Sequence, residues 1–515
     1  YNPLNFIDKT FHQETLVNSE KLIRGLKFGD LVDESHQKEL KAIVRFRFHS
    51  IAFIIEIIEK LKLSKNIDEV IVSGFDRYYD TFSKKNIFVS NLVLNLISDI
   101  KVTSLNKILK KKNFSNKQYN FKIYNHNKDD NNEYILLTNL GYNFFRIVMT
   151  LKKKKVKMIV PLIGKIGFFK RIIYKFLNVK IVEFKKIDID KISDIRLPVV
   201  NFTYKGKDLS KELNSRLAQE TNNFVNLKNQ SKAIENFFKK IKVKFVITNL
   251  SRGISGYFID LAKKLNIISI CIPHGTLAQN FDEHDKIYKE TISEAITSNN
   301  AQFHTSQSII AKKFFEEKKE NFKNILNSGN LIFCGNHKKN RKNKKKILFA
   351  VTMKDFQSIQ LLGVEMYYEF LDNLYFLEKI AKKYQLNFLI KLHPSTYENY
   401  ENLKIIFKNL EFSKKKINKV LDESYVTLSF SSTVIEDSLS SECPVILLDR
   451  WKRYKHCEAE ENSKIKNSAV YYVTNEYELI DCLKTISLSE KIDFTKYNFN
   501  KTYKYNLVNT LNNFI

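Results

Sequence analysis

The sequence predicts an α/β protein with two parallel sheets facing a cleft and a helical segment ahead of them. Three observations carry that expectation. Short β-branched apolar runs alternate with helical patterns along most of the 515 residues. The runs are apolar throughout rather than at every second residue, which marks strands buried on both faces. The series breaks at "HKKNRKNKKK" (337–346), ten residues without an apolar side chain. Length agrees, because a single core stops growing near ~250–300 residues.

Taken in order, residues 1–64 read as a helical N-terminal extension, since "FRFHSIAFIIEIIEKLKL" (46–63) spaces apolar residues by three and four. A first Rossmann-like unit is expected over 65–337. Its strands are "DEVIVSGF" (68–75), "EYILLT" (133–138), "VKMIVPLI" (156–163), "VKIVEF" (179–184), "VKFVIT" (243–248), "NIISICI" (266–272), "EAITS" (294–298) and "LIFCGN" (331–336). Helices are expected near 86–99, over "GFFKRIIYKFL" (167–177), and along the polar stretch 207–241. A basic linker (338–346) leads to a second Rossmann-like unit, 347–515. There the strands are "ILFAVT" (347–352), "NFLIKL" (387–392), "YVTLSF" (425–430), "CPVILLD" (443–449) and "AVYYVT" (469–474).

Composition narrows the partners. Lys and Arg number 86 against 56 Asp and Glu, a formal charge of +30. Such an excess favours anionic partners: phosphorylated substrates, anionic lipid or nucleic acid. Codon bias toward Lys and Asn would produce the same excess. No zinc-finger, homeodomain or RNA-recognition pattern accompanies the charge, so nucleic acid is not the expected partner. The five cysteines (Cys271, Cys334, Cys443, Cys457, Cys482) are far apart, and the first three lie in apolar runs. Reduced, mostly buried thiols of a cytoplasmic protein are expected, with neither a disulfide framework nor a metal site. No signal peptide is legible. Charges interrupt the most apolar stretches well short of the ~18 residues of a spanning helix, so any membrane contact would be peripheral.

In open α/β sheets ligands bind beyond the carboxyl ends of strands. The residues at those ends form a pattern here. Pro273-His274-Gly275-Thr276 follows one strand of the first unit, and "SRGISG" (251–256), with Arg252, follows another. In the second unit Lys391 ends a strand that runs into His393-Pro394. Another strand runs into Ser429, Ser431, Ser432 and Thr433, and a third into Arg450. Thr433 and Glu436 have the spacing of a capping box, which explains one hydroxyl but not four. Surplus hydroxyls and N–H groups where a helix begins also suit a phosphate. Glu436 then either completes the box or binds a ligand hydroxyl. Pro394 restricts His393 to extended geometry, and Lys391 shares its strand face. A structural turn histidine and a general base are both open for His274. The acidic run Asp282-Glu283-His284-Asp285 meets no metal-ligand spacing and reads as a solvated loop. No Walker pattern, GxSxG or HExxH occurs.

"PHGT" (273–276), "KLHP" (391–394) and "SFSSTVIEDSLSSECPVILLD" (429–449) together resemble the motifs of bacterial glycosyltransferases with the GT-B fold that use cytidine-activated donors. Two branches are similar: CDP-glycerol glycerophosphotransferases, and capsule or lipopolysaccharide transferases using CMP-Kdo or CMP-sialic acid. The resemblance spans roughly 243–475. It implies that His393, Ser431 and Ser432 hold donor phosphate; their place at the same strand ends puts Lys391, Pro394, Ser429, Thr433 and Glu436 around it. It further implies that His274 is a candidate base; His274 and His393 are the expected catalytic residues, and the strand-end positions of Gly275, Thr276, Arg252 and Arg450 set them along the cleft. The implied reaction is metal-independent, inverting transfer from a CMP- or CDP-linked donor to a glycan or lipid-linked acceptor, with no cofactor. "HGTLAQ" (274–279) lacks the proline usual in the glycerophosphotransferases, and no acidic-acidic-Gly motif of polysialyltransferases occurs. A carboxylate base, one of Asp282, Glu283 and Asp285, therefore stays open beside His274.

Two other functions fit parts of the pattern. A UDP-GlcNAc 2-epimerase shares a Ser-rich turn and an acidic helix, but here the Gly-Gly is missing and Asp449-Arg450 closes the following strand. A basic nucleic-acid-binding protein would show steep salt dependence instead. The stretch "KIGFFKRIIYKFL" (165–177) sets Lys and Arg beside aromatics. It reads either as an ordinary buried helix or as a peripheral contact with anionic inner-membrane lipid.

Overall fold

A computed structural model describes residues 9–497 except 65, 73–77, 81–84, 88–92, 94–95, 98, 106–115, 124–131, 139–144, 154, 164–166, 190–197, 230, 274–276, 284, 287–288, 290–292, 294–295, 298–299, 330–343, 352–366, 394–396 and 398–399. Its centre is a pair of α/β sheets, as the alternating apolar runs require. The first sheet, among the described residues, has eight strands. Their spatial order is Ile325–Asn327, Phe303–Ser306, Ile268–Cys271, Val243–Thr248, Tyr134–Leu137, Met158–Ile163, Val179–Ile189 and Asn116–Ile123. All are parallel except Asn116–Ile123, which pairs antiparallel with Val179–Ile189 at one edge. The second sheet has six parallel strands, in the order Leu410–Ser413, Phe388–Lys391, Lys346–Ala350, Ser424–Ser429, Val445–Leu448 and Val470–Val473.

Alternation of side chains explains why the strands had to be apolar throughout. In the first sheet Leu136, Ile159, Val182 and Val246 pack on one face against Phe237, Phe238, Phe258 and Leu261. Ile135, Met158, Val160, Phe245 and Ile247 pack on the other against Ile147, Val148 and Leu151. The second sheet repeats the device. Phe349, Ile390, Val426 and Leu428 meet Phe370, Leu374 and Leu377 on one side, and Leu348 and Leu389 meet Val420 and Leu421 on the other.

Three expectations are corrected. Within the expected strand 294–298, the described residues Ile296 and Thr297 are not in a strand. Ser293 and Ile296 are helical, and both the amide (2.7 Å) and hydroxyl (2.8 Å) of Thr297 donate to the Ser293 carbonyl. The strand is Phe303–Ser306 instead. Its buried His304, Thr305 and Ser306 leave no apolar run to read. The helix expected near 86–99 cannot begin at 86, because Lys85–Ile87 is a strand paired with Tyr78–Asp80; Val93 and Leu96 are helical. The polar stretch 207–241 is two helices, Ser210–Asn229 and Ser231–Ile241, preceded by the short strand Lys207–Asp208. The expected strand 331–336 and Cys334 lie outside the described residues. Cys271, Cys443, Cys457 and Cys482 are buried free thiols.

The helices Lys9–Arg24 and Glu34–Ser64 share a core with Ser210–Asn229, in which Phe48, Ile51 and Ile55 meet Leu213, Leu217 and Phe224. His49 lies inside it, 1% exposed, and neither ring nitrogen has a hydrogen-bond partner among the described residues. Burial first, and the Arg45 charge second, push its pKa from 6.5 down to about 3. A lowered histidine pKa means that the unfolded chain takes up the proton first, so stability falls as pH drops below 6.5. Urea midpoints of wild type and His49→Phe, compared between pH 7 and 5, should therefore diverge in favour of the variant. The expected divergence is about 2 kcal/mol, or ~1.4 kcal/mol per pH unit. Parallel curves would show that His49 is protonated in the fold.

Candidate functional site

The second sheet starts in its middle. The chain lays down Lys346–Ala350, moves outward through Phe388–Lys391 to Leu410–Ser413, then returns to place Ser424–Ser429 on the other side of the first strand. This reversal opens a crevice beyond the carboxyl ends of Lys346–Ala350 and Ser424–Ser429, the position where open α/β sheets take their ligands. The four hydroxyls sit there. The buried Ser429 Oγ donates to the Ala350 carbonyl at 3.0 Å, tying the two central strands together, and lies 3.4 Å from the Ser432 amide. Ser432 Oγ accepts from the Val434 amide at 3.3 Å. Ser429 and Ser432 thus shape the turn, while Ser431 and Thr433 stand half-buried at its rim.

The capping box is not formed. Thr433 already has helical backbone angles (φ −58°, ψ −10°), so its hydroxyl makes no cap bond, where a box requires an extended N-cap. Glu436 turns inward instead. It is 2% exposed, and its carboxylate lies 3.8 Å from the Nε2 of the equally buried His456.

His393 is half-buried at the end of the neighbouring strand, and Pro394 lies outside the described residues. Lys391 is buried. Its ammonium donates to the Leu392 carbonyl (2.6 Å) and the Tyr397 hydroxyl (2.9 Å), and burial lowers its pKa to about 8. It braces the turn that carries His393. Arg450 pairs with Asp372 and stacks on Phe376, 4.2 Å from the ring centre, so its charge is held by the helix Tyr367–Tyr384.

The first sheet has the same reversal, between Tyr134–Leu137 and Val243–Thr248. Thr138 donates to Thr248 across it at 3.0 Å. "SRGISG" follows directly, and its glycines serve the backbone. Gly253 has φ +54°, and a Cβ on Gly256 would lie 2.4 Å from the Ser251 carbonyl. Arg252 is half-buried and precedes the helix Gly253–Lys264. His274, Gly275 and Thr276 lie outside the described residues. In the acidic run downstream, Asp285 pairs with the buried Lys289 at 2.8 Å, and Asp282 accepts from the Asp285 amide at 2.7 Å.

Sequence reasoning missed Glu39. It lies on Glu34–Ser64, buried, and its Oε2 accepts from the Gly253 amide at 2.7 Å, at the start of the helix beyond the first reversal. Burial raises its pKa from 4.5 to about 7, against the opposing pull of the Gly253 bond and the Arg252 charge. Seven residues on, about 10 Å along the helix, Phe46 packs with Leu16 against Phe430 and Tyr454, at the mouth of the second reversal. One helix therefore reaches both ligand edges. Nothing in the local sequence reveals this, because Glu39 stands in an ordinary amphipathic pattern.

No protein-family model matches the chain, and no curated protein matches it significantly. Solved structures resemble it at low identity. A UDP-GlcNAc 2-epimerase from Methanocaldococcus jannaschii is 14% identical over 74% of this chain and 99% of that one, with a TM-score of 0.43. The Neisseria meningitidis UDP-GlcNAc 2-epimerase bound to UDP-GlcNAc is 13% identical over 74% and 100%, with a TM-score of 0.44. MurG from Acinetobacter baumannii is 10% identical over 74% and 91%, with a TM-score of 0.33. At these identities and TM-scores the likenesses bear on neither substrate nor activity.

Proposed function

We propose that this chain is a glycosyltransferase that moves a sugar from a cytidine-nucleotide donor to a cell-surface glycan or lipid-linked acceptor, with inversion. The observation that supports this reading best is the convergence on the second reversal. Ser431, Ser432 and Thr433 lie beyond one central strand and His393 beyond its neighbour's flank, in the motif order of the cytidine-dependent enzymes. The donor phosphate would rest on the Ser431–Thr433 turn and His393. There these donors offset the charge that develops on the leaving oxygen.

The acceptor would sit at the first reversal. A base takes the proton of its hydroxyl, the freed oxygen attacks the anomeric carbon, and the carbon–oxygen bond to phosphate breaks, with its electron pair leaving on the nucleotide. The motif resemblance supports His274 as that base. The position and raised pKa of Glu39 support a carboxylate, and we assign the role to Glu39.

Melting temperatures with CMP, CDP and UDP test the donor assignment, because a ligand bound only by the folded state raises them. CMP or CDP should stabilise more than UDP, and His393→Ala and Ser431→Ala should reduce that gain with the unliganded fold intact. Stronger stabilisation by UDP, with C2 inversion of UDP-GlcNAc in the absence of acceptor, would establish the epimerase reading instead.

A further inference from the structure

The helix Phe168–Phe176 is built inside out. Phe168, Phe169, Ile172, Ile173 and Phe176 are 72%, 80%, 50%, 52% and 78% exposed. At 100° per residue these five fall within an arc of about 140°. Tyr174 lies on the opposite side and Leu177 past one margin of the stripe, and both join the core beneath the first sheet. The helix is thus anchored by one edge while its broad apolar face points away from the protein. Five large apolar side chains in one stripe exceed the scattered exposure normal for a surface.

The charge around the stripe says what covers it. Arg171 and Lys175 are exposed on its flank, and the Lys152 ammonium lies 4.0 Å from the Phe176 ring centre. From Tyr134 to Val182 the sequence carries eleven Lys or Arg and no Asp or Glu. A protein partner with an apolar groove needs no such one-signed surround, whereas an anionic bilayer surface does. No helix among the described residues is long and apolar enough to cross a membrane, so this contact lies in the plane of the interface. The helix begins just past the carboxyl end of Met158–Ile163, on the edge of the sheet where Thr138 lies and where Glu39 meets Gly253.

We propose that Phe168–Phe176 seats the protein on an anionic lipid surface, with the five apolar side chains entering the boundary between headgroups and acyl chains and Lys152, Arg171 and Lys175 meeting anionic headgroups. The seat does not depend on the donor assignment. It does bear on the acceptor, since a bilayer at that edge presents lipid-linked hydroxyls to the first reversal.

Co-sedimentation with vesicles of phosphatidylcholine mixed equally with phosphatidylglycerol tests the proposal. The whole chain should sediment with these vesicles and much less with phosphatidylcholine alone. The triple variant Phe168→Ser/Phe169→Ser/Phe176→Ser should bind roughly a hundredfold more weakly or worse. Arg171→Glu and Lys175→Glu, each shifting the charge by two, should each weaken binding about thirtyfold and reduce the preference for anionic lipid. All these side chains are exposed, so the melting temperature should stay unchanged, and the variants should keep any nucleotide-dependent shift. Failure of the wild type to bind mixed vesicles, or equal binding by the triple variant, would overturn the seat. A stable dimer that the triple variant dissolves would do so too, by showing that a second copy covers the helix.

Discussion

Glu39→Gln should cut turnover by roughly 10²–10⁴-fold, the usual worth of a general base, while the nucleotide-induced rise in melting temperature stays as in wild type. The substitution is chosen for what it preserves. An amide oxygen still accepts from the Gly253 amide, so the start of the Gly253–Lys264 helix keeps its partner. Only the proton acceptor is lost. With the Glu39 pKa near 7, wild-type kcat/KM should fall as pH drops below about 7, and that limb should vanish in the variant. Stability supplies an independent sign. A carboxyl whose folded pKa is raised favours the fold while protonated, so its contribution is lost as pH rises from 4.5 through about 7. Glu39→Gln should therefore gain stability relative to wild type on the alkaline side. Turnover within a few-fold of wild type would remove Glu39 as the base. A loss on His274→Ala instead would return the role to the motif histidine.

The second large effect concerns folding. Arg453 grips Glu369 with two nitrogens, Nε at 2.8 Å, and both side chains are nearly inaccessible at 5% and 4%. The same guanidinium lies 5.0 Å from the ring centre of Phe430 and beside the buried Asp449, whose pKa burial raises to about 6. Arg453→Met should cost about 3–5 kcal/mol, because it strands buried carboxylates without their cation. Arg453→Met/Glu369→Met should recover much of the loss, since an apolar pair of similar volume replaces a desolvated ion pair. Urea denaturation of the three proteins measures both steps, and equal stability of wild type and the single variant would show the pair to be solvated. Phe430 immediately precedes Ser431, so the single variant should also weaken nucleotide binding.

The central strands were legible because burial on both faces writes a continuous apolar run, as in Val445–Leu448 and Tyr134–Leu137. Two other strands escaped for the converse reason. Phe303–Ser306 keeps its polar side chains buried, and in Leu410–Ser413 the exposed Glu411 and the terminal Ser413 break the apolar run. Strand ends could be read as a ligand edge, but not the use of each side chain there. Lys391 looked like a cation facing a phosphate and Arg450 like one lining the cleft, yet Tyr397 and Asp372, which only the folded chain brings alongside, hold them. Thr433 matched a capping spacing that its backbone angles rule out. Glu39 was invisible because its meaning comes from Gly253, 214 positions away.

The helix Glu34–Ser64 touches Gly253 near one end and Phe430 two turns further on. A rigid rod fixed at two points acts as a caliper. In the proposed transfer, the distance between the atom that loses a proton and the atom that takes the leaving charge would then be set by a count of residues, not by how two lobes happen to swing. Lengthening the rod by one turn would move the jaws apart by about 5.4 Å, farther than any bond can be made.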